Sequence, residues 1–200
     1  METIRGKTSI DLDFNGLNKR LAGHSRLILD LGTGDGRYVH DLAERNPNWF
    51  VIGVDSCREN LHEHSRAKLP NAIFVIASAQ NLPYELYGLV SLITINFPWG
   101  SLLDSLLTGD PGLLRGLSSI SCPNAQMEIR LNGGALAEAG TNLDTGAKLI
   151  YENMNQYGWK LKNPCPMDRY ILRNFPTTWA RRLAYGRDPR VISLSGRLPN

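Results

Sequence analysis

The feature that most constrains this chain is an apolar run that stops at a cluster of glycines. Residues 26–31 read as a buried strand, which leads through Leu29-Asp30-Leu31-Gly32-Thr33-Gly34-Asp35-Gly36-Arg37 into a helical pattern over residues 37–45. A strand, a glycine turn and a helix in that order let backbone approach a ligand closely. The alternation continues with a strand at 50–55, a helix-like stretch at 58–69 and further strands at 72–77, 89–97 and 126–131. Strands joined by helices need right-handed crossovers, so the expected class is α/β with a mostly parallel sheet. With 200 residues and no internal repeat, one domain is expected.

The flanks read differently. Residues 1–12 alternate polar and apolar and suggest a hairpin, so that 1–25 would extend a cofactor-binding core over 26–131, with a C-terminal part over 132–200. Residues 132–146 read as a loop or frayed helix and 147–157 as a helix. Residues 159–162 and 191–195 look like a final antiparallel pair. Between them a short helix at 180–185 has Thr177 or Thr178 as its cap.

Composition narrows the function classes. With 42% hydrophobic and 20% charged residues, the chain is neither disordered nor collagen-like nor a coiled coil. No apolar run approaches the roughly 20 residues of a membrane span. The first five residues carry no apolar signal segment, and Cys57, Cys122 and Cys165 are odd in number and far apart. A cytoplasmic protein is therefore expected. Residues 160–200 hold nine Lys and Arg against two Asp, a net +7, which leaves −4 over residues 1–159. A basic C-terminal segment on an acidic body suggests a nucleic-acid contact surface, with a solvated basic face as the alternative.

The glycine turn narrows further with Asp55, 19 residues after Gly36 at the end of the second core strand, where a carboxylate can accept from ribose hydroxyls. That pair fits a dinucleotide or an adenosine-containing cofactor. Arg37 stands where the dinucleotide fingerprint needs a small residue. Asp30 and Asp35 beside the turn oppose a pyrophosphate and suit an ammonium and a sulfonium. Ser78-Ala79-Gln80-Asn81-Leu82-Pro83 resembles the adenine-binding edge of class I methyltransferases. S-adenosyl-L-methionine is the expected cofactor, with S-adenosylhomocysteine as product.

At the other end, the run over 89–97 delivers Asn96-Phe97-Pro98-Trp99-Gly100 to the carboxyl edge of the sheet, where open α/β sheets bind ligands. Asn96–Trp99 partly resembles the Asn-Pro-Pro-Tyr signature of amino-methyltransferases. Taken with Gly32–Gly36, Asp30 and Trp179-Ala180-Arg181-Arg182-Leu183-Ala184-Tyr185-Gly186-Arg187, it resembles the 16S ribosomal RNA adenine-1408 N1-methyltransferases of the kanamycin–apramycin resistance group. Gly6-Lys7-Thr8-Ser9-Ile10-Asp11-Leu12 and Phe74-Val75-Ile76-Ala77-Ser78-Ala79-Gln80-Asn81-Leu82-Pro83 look similar too.

The resemblance implies a Rossmann-like class I methyltransferase fold. It implies that Asp30, Gly32, Thr33, Gly34, Asp35, Asp55, Ser56, Ala79, Gln80 and Leu82 hold the cofactor. It implies that Trp99 and Trp179 stack on the flipped target adenine, with Pro98 and Thr177 completing the pocket. Arg181, Arg182, Arg187, Arg190, Arg66 and Lys68 would contact rRNA. The implied partner is the 30S subunit at the helix 44 decoding region, met by a monomer.

No triad or metal is needed for that reaction, because adenine N1 carries an in-plane lone pair at neutral pH and orientation does most of the work. Cys57, His62 and His64 share one predicted stretch, but His62 and His64 are two apart and face different ways, so no metal site is expected. Two other readings stay open: a methyltransferase for another substrate, such as tRNA guanine N7 or a small molecule, and a cofactor-binding ribosome module without transfer.

Overall fold

The fold is seen in a computed structural model, which describes residues 1–186 and 188–199. The chain opens with the expected hairpin, β1 (Glu2–Arg5) and β2 (Thr8–Asp11), then a short helix α1 (Phe14–Leu21) capped by Asp13. β3 (Arg26–Leu31) and α2 (Arg37–Arg45) have the bounds expected from sequence, and β4 (Trp49–Asp55) starts one residue early. β5 (Ala72–Ile76) and β6 (Val90–Asn96) follow, then α3 (Gly100–Thr108), α4 (Pro111–Ile120) and the long β7 (Ser121–Asn132). The C-terminal part is α5 (Gly133–Glu138), α6 (Leu143–Gln156), β8 (Lys160–Leu161), β9 (Cys165–Pro166), α7 (Arg169–Asn174), α8 (Thr178–Ala184) and β10 (Val191–Arg197).

One sheet carries all ten strands, in the order β2-β1-β5-β4-β3-β6-β7-β10-β8 with β9 on β10. The five central strands are mutually parallel, while β1 joins β5, and β10 joins β7, antiparallel. The hairpin is therefore an edge of the main sheet rather than an appendage. The last strand pairs with β7 along its whole length, and with β8 only at Gly196 and Arg197.

Alternation along the strands explains the layers. Leu27, Leu29, Leu31, Phe50, Ile52, Val54, Ile73 and Val75 point to one face, under α3, α4 and α6. Ile28, Val51 and Phe74 point to the other, against Val39 and Ala43 of α2. A third cluster of Phe97, Leu172, Ala180 and Val191 seats the two last helices at the cleft end of the sheet.

Two expectations are corrected. Residues 58–69 form no α-helix but two short 3-10 helices, Arg58–His62 and His64–Arg66. Contacts with the hairpin override the local propensity: Gly6 N–H donates to Ser65 Oγ at 2.8 Å, and Arg58 pairs with Glu2 and donates to Ser9 Oγ at 3.2 Å. Residues 132–146 are more ordered than expected. Asn132 caps α5 through Ala135 N–H and Asn142 caps α6 through Thr145 N–H, so α6 begins four residues before the expected helix. Gly146 sits in that first turn because a Cβ there would lie 2.5 Å from Leu136. No reading from sequence anticipated α3 and α4.

Candidate functional site

The turn after β3 folds back onto β4: Gly32 and Thr33 N–H both donate to the Val54 carbonyl, at 2.8 and 3.0 Å. Gly36 starts α2 with φ +79°, and a Cβ there would strike the Phe74 ring at 2.4 Å. The turn is thus shaped chiefly by its backbone. Asp55 braces it, with Oδ2 accepting from Gly34 N–H (2.8 Å) and Oδ1 from Cys57 N–H (2.9 Å).

Beyond the turn lies a cleft of about 480 Å³, within the ordinary range for small-molecule sites. Nine of the ten residues assigned from sequence to the cofactor line it, from Asp30, Gly32, Thr33, Gly34 and Asp35 through Asp55 and Ser56 to Ala79 and Gln80. Leu82 does not. Its side chain is 5% exposed and packs in the core beside Gly116 of α4. The Gln80 amide is turned toward α3, donating to Ser105 Oγ at 2.7 Å.

Asp30 is the most perturbed group in the cleft. Burial pushes its carboxyl up to about 6, against donors from neighbouring hydroxyls and the Asn96 amide and the charge of Arg130. Its Oδ1 accepts from Thr94 Oγ1 at 2.7 Å and from Asn96 Nδ2 at 2.8 Å. Asn96 is therefore committed inward. Its Nδ2 faces Asp30 and its Oδ1 accepts from Arg130 Nη1 at 2.8 Å.

The cleft's other wall is aromatic. Phe97 holds φ +55°, a left-handed conformation that costs a bulky residue about 1–3 kcal/mol. Its N–H bond to the Arg130 carbonyl (2.8 Å) and its burial against Phe175 hold it there. The turn swings Pro98 and Trp99 onto the cleft. Thr177 caps α8, accepting from Ala180 N–H at 2.9 Å, and so presents Trp179 two residues later.

The two indoles, 39% and 40% exposed, stack on each other with centroids 5.3 Å apart and planes 17° off parallel. Trp99 Nε1 donates to Glu138 Oε1 at 3.2 Å, and the Arg182 guanidinium lies 5.3 Å from the Trp179 ring centroid. Thr178 Oγ1 donates to Asp35 Oδ2 at 2.6 Å, so α8 is tied to the glycine turn. Sequence reasoning missed Glu138 and Arg130 and took Thr178 only as a possible cap; their partners lie 39, 34 and 143 residues away.

The basic residues separate. Arg182 lines the cleft and Arg181 is exposed beside it. Arg190 forms a two-pronged pair with Asp188, both bonds 2.8 Å, so its charge is largely answered within the chain. Arg187 lies outside the described residues. Arg66 and Lys68 do not line the cleft: Arg66 packs by Gly6 of the hairpin, and Lys68 lines a second groove with Arg5 and Arg20.

With this geometry, comparison with known proteins is direct. Residues 2–198 match the NpmA family model, described as 16S rRNA (adenine(1408)-N(1))-methyltransferase. An Escherichia coli protein of the same description is 29% identical over 98% of each chain. Among solved structures, a mutant of the 16S rRNA (adenine(1408)-N(1))-methyltransferase from Catenulisporales acidiphilia with its cosubstrate SAM superposes with a TM-score of 0.88, at 25% identity over 100% of this chain and 97% of that one. The aminoglycoside resistance methyltransferase NpmB1 does so with a TM-score of 0.82, at 31% identity over 98% of both.

Proposed function

The chain belongs to the 16S rRNA (adenine(1408)-N(1))-methyltransferase family, and from that premise we infer how its residues share the work of methylating N1 of adenine 1408. The carrying observation is one cleft with acidic side chains at one end and a pair of stacked tryptophans at the other.

The donor set fits S-adenosyl-L-methionine. Asp30, whose Oδ1 takes the Thr94 and Asn96 donors, and Asp35 both line the cleft and offer negative charge to a ligand bearing an ammonium and a sulfonium. Gly34, where a Cβ would meet only open space, allows close approach. Asp55 and Ser56 would take the ribose, and Ala79 and Gln80 the adenine. When bound there, S-adenosyl-L-methionine would supply the sulfonium methyl for the in-plane lone pair of N1, with S-adenosylhomocysteine as the product.

Everything else falls to the chain, which must hold the target base in line. Trp99 and Trp179 would take the flipped adenine between them, with Pro98 and Thr177 bounding the slot. Their present contact has to open, since an inserted base needs two stacking intervals of about 3.4 Å each. The exchange is favourable: one aromatic pair worth about 0.5–1.5 kcal/mol is traded for two base stacks of about 1–3 kcal/mol each. That surplus offsets the few kcal/mol that flipping costs. N1-methylation makes the ring cationic, and indole faces favour a cation, so the same clamp would stabilise the developing charge.

Arg181, Arg182 and the basic residues nearby would hold the rRNA backbone. The groove with Lys68, and Arg66 beside the hairpin, would add a second footing. We take the chain as one domain that acts as a cytoplasmic monomer on assembled 30S subunits at the helix 44 decoding region, giving aminoglycoside resistance. Among the described residues, no helix is long and apolar enough to cross a membrane. Primer extension on 16S rRNA from treated 30S subunits tests the reading. A methyl on N1 blocks pairing and should stop reverse transcriptase one nucleotide before adenine 1408. Methyl label without a stop would indicate an atom such as guanine N7, and no label would indicate a binding module.

A further inference from the structure

Polar side chains on three adjacent strands touch in series beneath the cleft. Asp30 ends β3; Thr94 and Asn96 lie beside it on β6; Arg130 pairs with Asn96 from β7. Arg130 Nη2 also meets Glu128 at 2.5 Å. The Arg130 guanidinium carbon lies 4.6 Å from the Phe175 ring centroid, and Phe175 stacks on Tyr38 at 5.3 Å and meets Phe97 edge-on at 5.9 Å. Burying such a polar chain gains little over well-packed apolar side chains, which directs attention to what it orients.

The Asn96 amide has two ends and one useful orientation. With Nδ2 toward Asp30, its Oδ1 must face Arg130, a donor with no acceptor capacity. Reversed, the amide would set its oxygen against a carboxylate and its NH2 against a guanidinium. Arg130 therefore determines, through Asn96, that Asp30 meets a donor. The same two residues reach the aromatic end. Asn96 immediately precedes Phe97-Pro98-Trp99, and Phe175 stands two residues before the Thr177 cap of α8.

We propose that Asn96 and Arg130 are positioning residues for methyl transfer, which orient the Asp30 carboxylate toward the cofactor and fasten Trp99 and Trp179, through Phe97 and Phe175, to the same point. The proposal rests on the reading of Asp30 as the cofactor carboxylate and of the two tryptophans as the base clamp. The charged or titratable groups facing Asp30 are Arg130 of β7 and Tyr38 of α2, while Glu128 of β7 faces Arg130 and Tyr38.

The test compares the full-length protein with its R130M, N96L, R130M/N96L, R130K and D30N variants, with S-adenosylmethionine as titrant from pH 5 to 8.5. R130M and N96L should each weaken cofactor binding by roughly tenfold or more at pH 7.5, the size of one lost hydrogen bond to a charged group. Both should move upward the pH below which affinity falls, a change that a purely structural role would not make. The double variant should be no worse than the weaker single, because both break one chain. R130K, which keeps the charge and loses the planar fork, should restore the pH midpoint only in part. At saturating cofactor, single-turnover methylation of 30S subunits should also slow in R130M.

Folded R130M and N96L proteins that bind cofactor within twofold of wild type at an unchanged midpoint would overturn the proposal, as would fully additive losses. If N96L does not fold, N96S removes the same amide with less bulk and is read the same way. D30N separates the two levels: weakened binding in D30N with R130M and N96L intact refutes the relay alone. Wild-type affinity in D30N removes the cofactor reading, and the relay with it.

Discussion

The two ends of the cleft are built by opposite means. At the proposed cofactor end, the residues from Asp30 to Gly36 are consecutive, Gly32 and Thr33 are held by backbone bonds to β4, and Asp30 is 2% exposed. At the acceptor end, two half-exposed tryptophans come from distant parts of the chain and are held by side-chain contacts to Glu138, Arg182 and, through Thr178, Asp35. A small cofactor can be met by a rigid cradle. A base pulled from a large RNA needs a slot that opens, and on the proposed reading stacked rings on a turn and a short helix would supply one.

The sharpest break in that comparison is at the rigid end. Asp30→Ala should raise the cofactor dissociation constant by about 100-fold in calorimetry, since it removes a charge-assisted contact in a water-poor site. Trp179→Ala should act on the other end alone. It should slow single-turnover methylation roughly 10–100-fold, the loss of one base stack, and leave cofactor affinity within about twofold. Cofactor affinity changing as much as rate would erase the division between the ends.

Proton linkage sharpens the rigid end further. The folded protein without cofactor holds the Asp30 proton up to about pH 6, whereas an unfolded carboxyl releases it near 3.8. The native state therefore binds more protons in that window, and stability falls as pH rises through it. Asp30→Asn should accordingly melt higher than wild type at pH 7.5, with the gap closing by pH 4. Cofactor binding needs the ionised form, so wild-type affinity should drop up to tenfold per unit below pH 6. A flat profile would count against Asp30 as the cationic ligand's partner.

The smallest effects belong to the tethers of the movable end. Thr177→Ala removes a helix cap and should cost about 1 kcal/mol of stability in denaturant unfolding. Thr178→Val should slow methylation several-fold, about what one hydrogen bond contributes, without changing cofactor affinity. In the near-UV, the stacked indoles should give a coupled circular-dichroism signal that Trp99→Phe abolishes.

Much of this architecture was legible in the chain. The strand at 26–31 and the helix at 37–45 have their expected bounds because a fully apolar run and a glycine turn leave few alternatives. The cofactor turn was legible for the same reason: its residues are contiguous, and backbone needs alone account for its glycines. The stretch at 58–69 was misread because its side chains bond to a hairpin more than 45 residues away. Helices α3 and α4 went unread, and Leu82 was assigned to a ligand when the core claims it.

Residue type and local spacing were thus enough to determine the α/β class, the acidic glycine turn, and the presence of Trp99 after a core strand and of Trp179 in a basic C-terminal segment. Only the tertiary structure decided that those tryptophans stack on one another, that Arg190 is spent on Asp188 and that Asn96 faces Asp30 and Arg130. The physical reason is the same in each case. Sheet order chooses which strands become neighbours, and a side chain's partner, which sets its charge and orientation, is chosen with them.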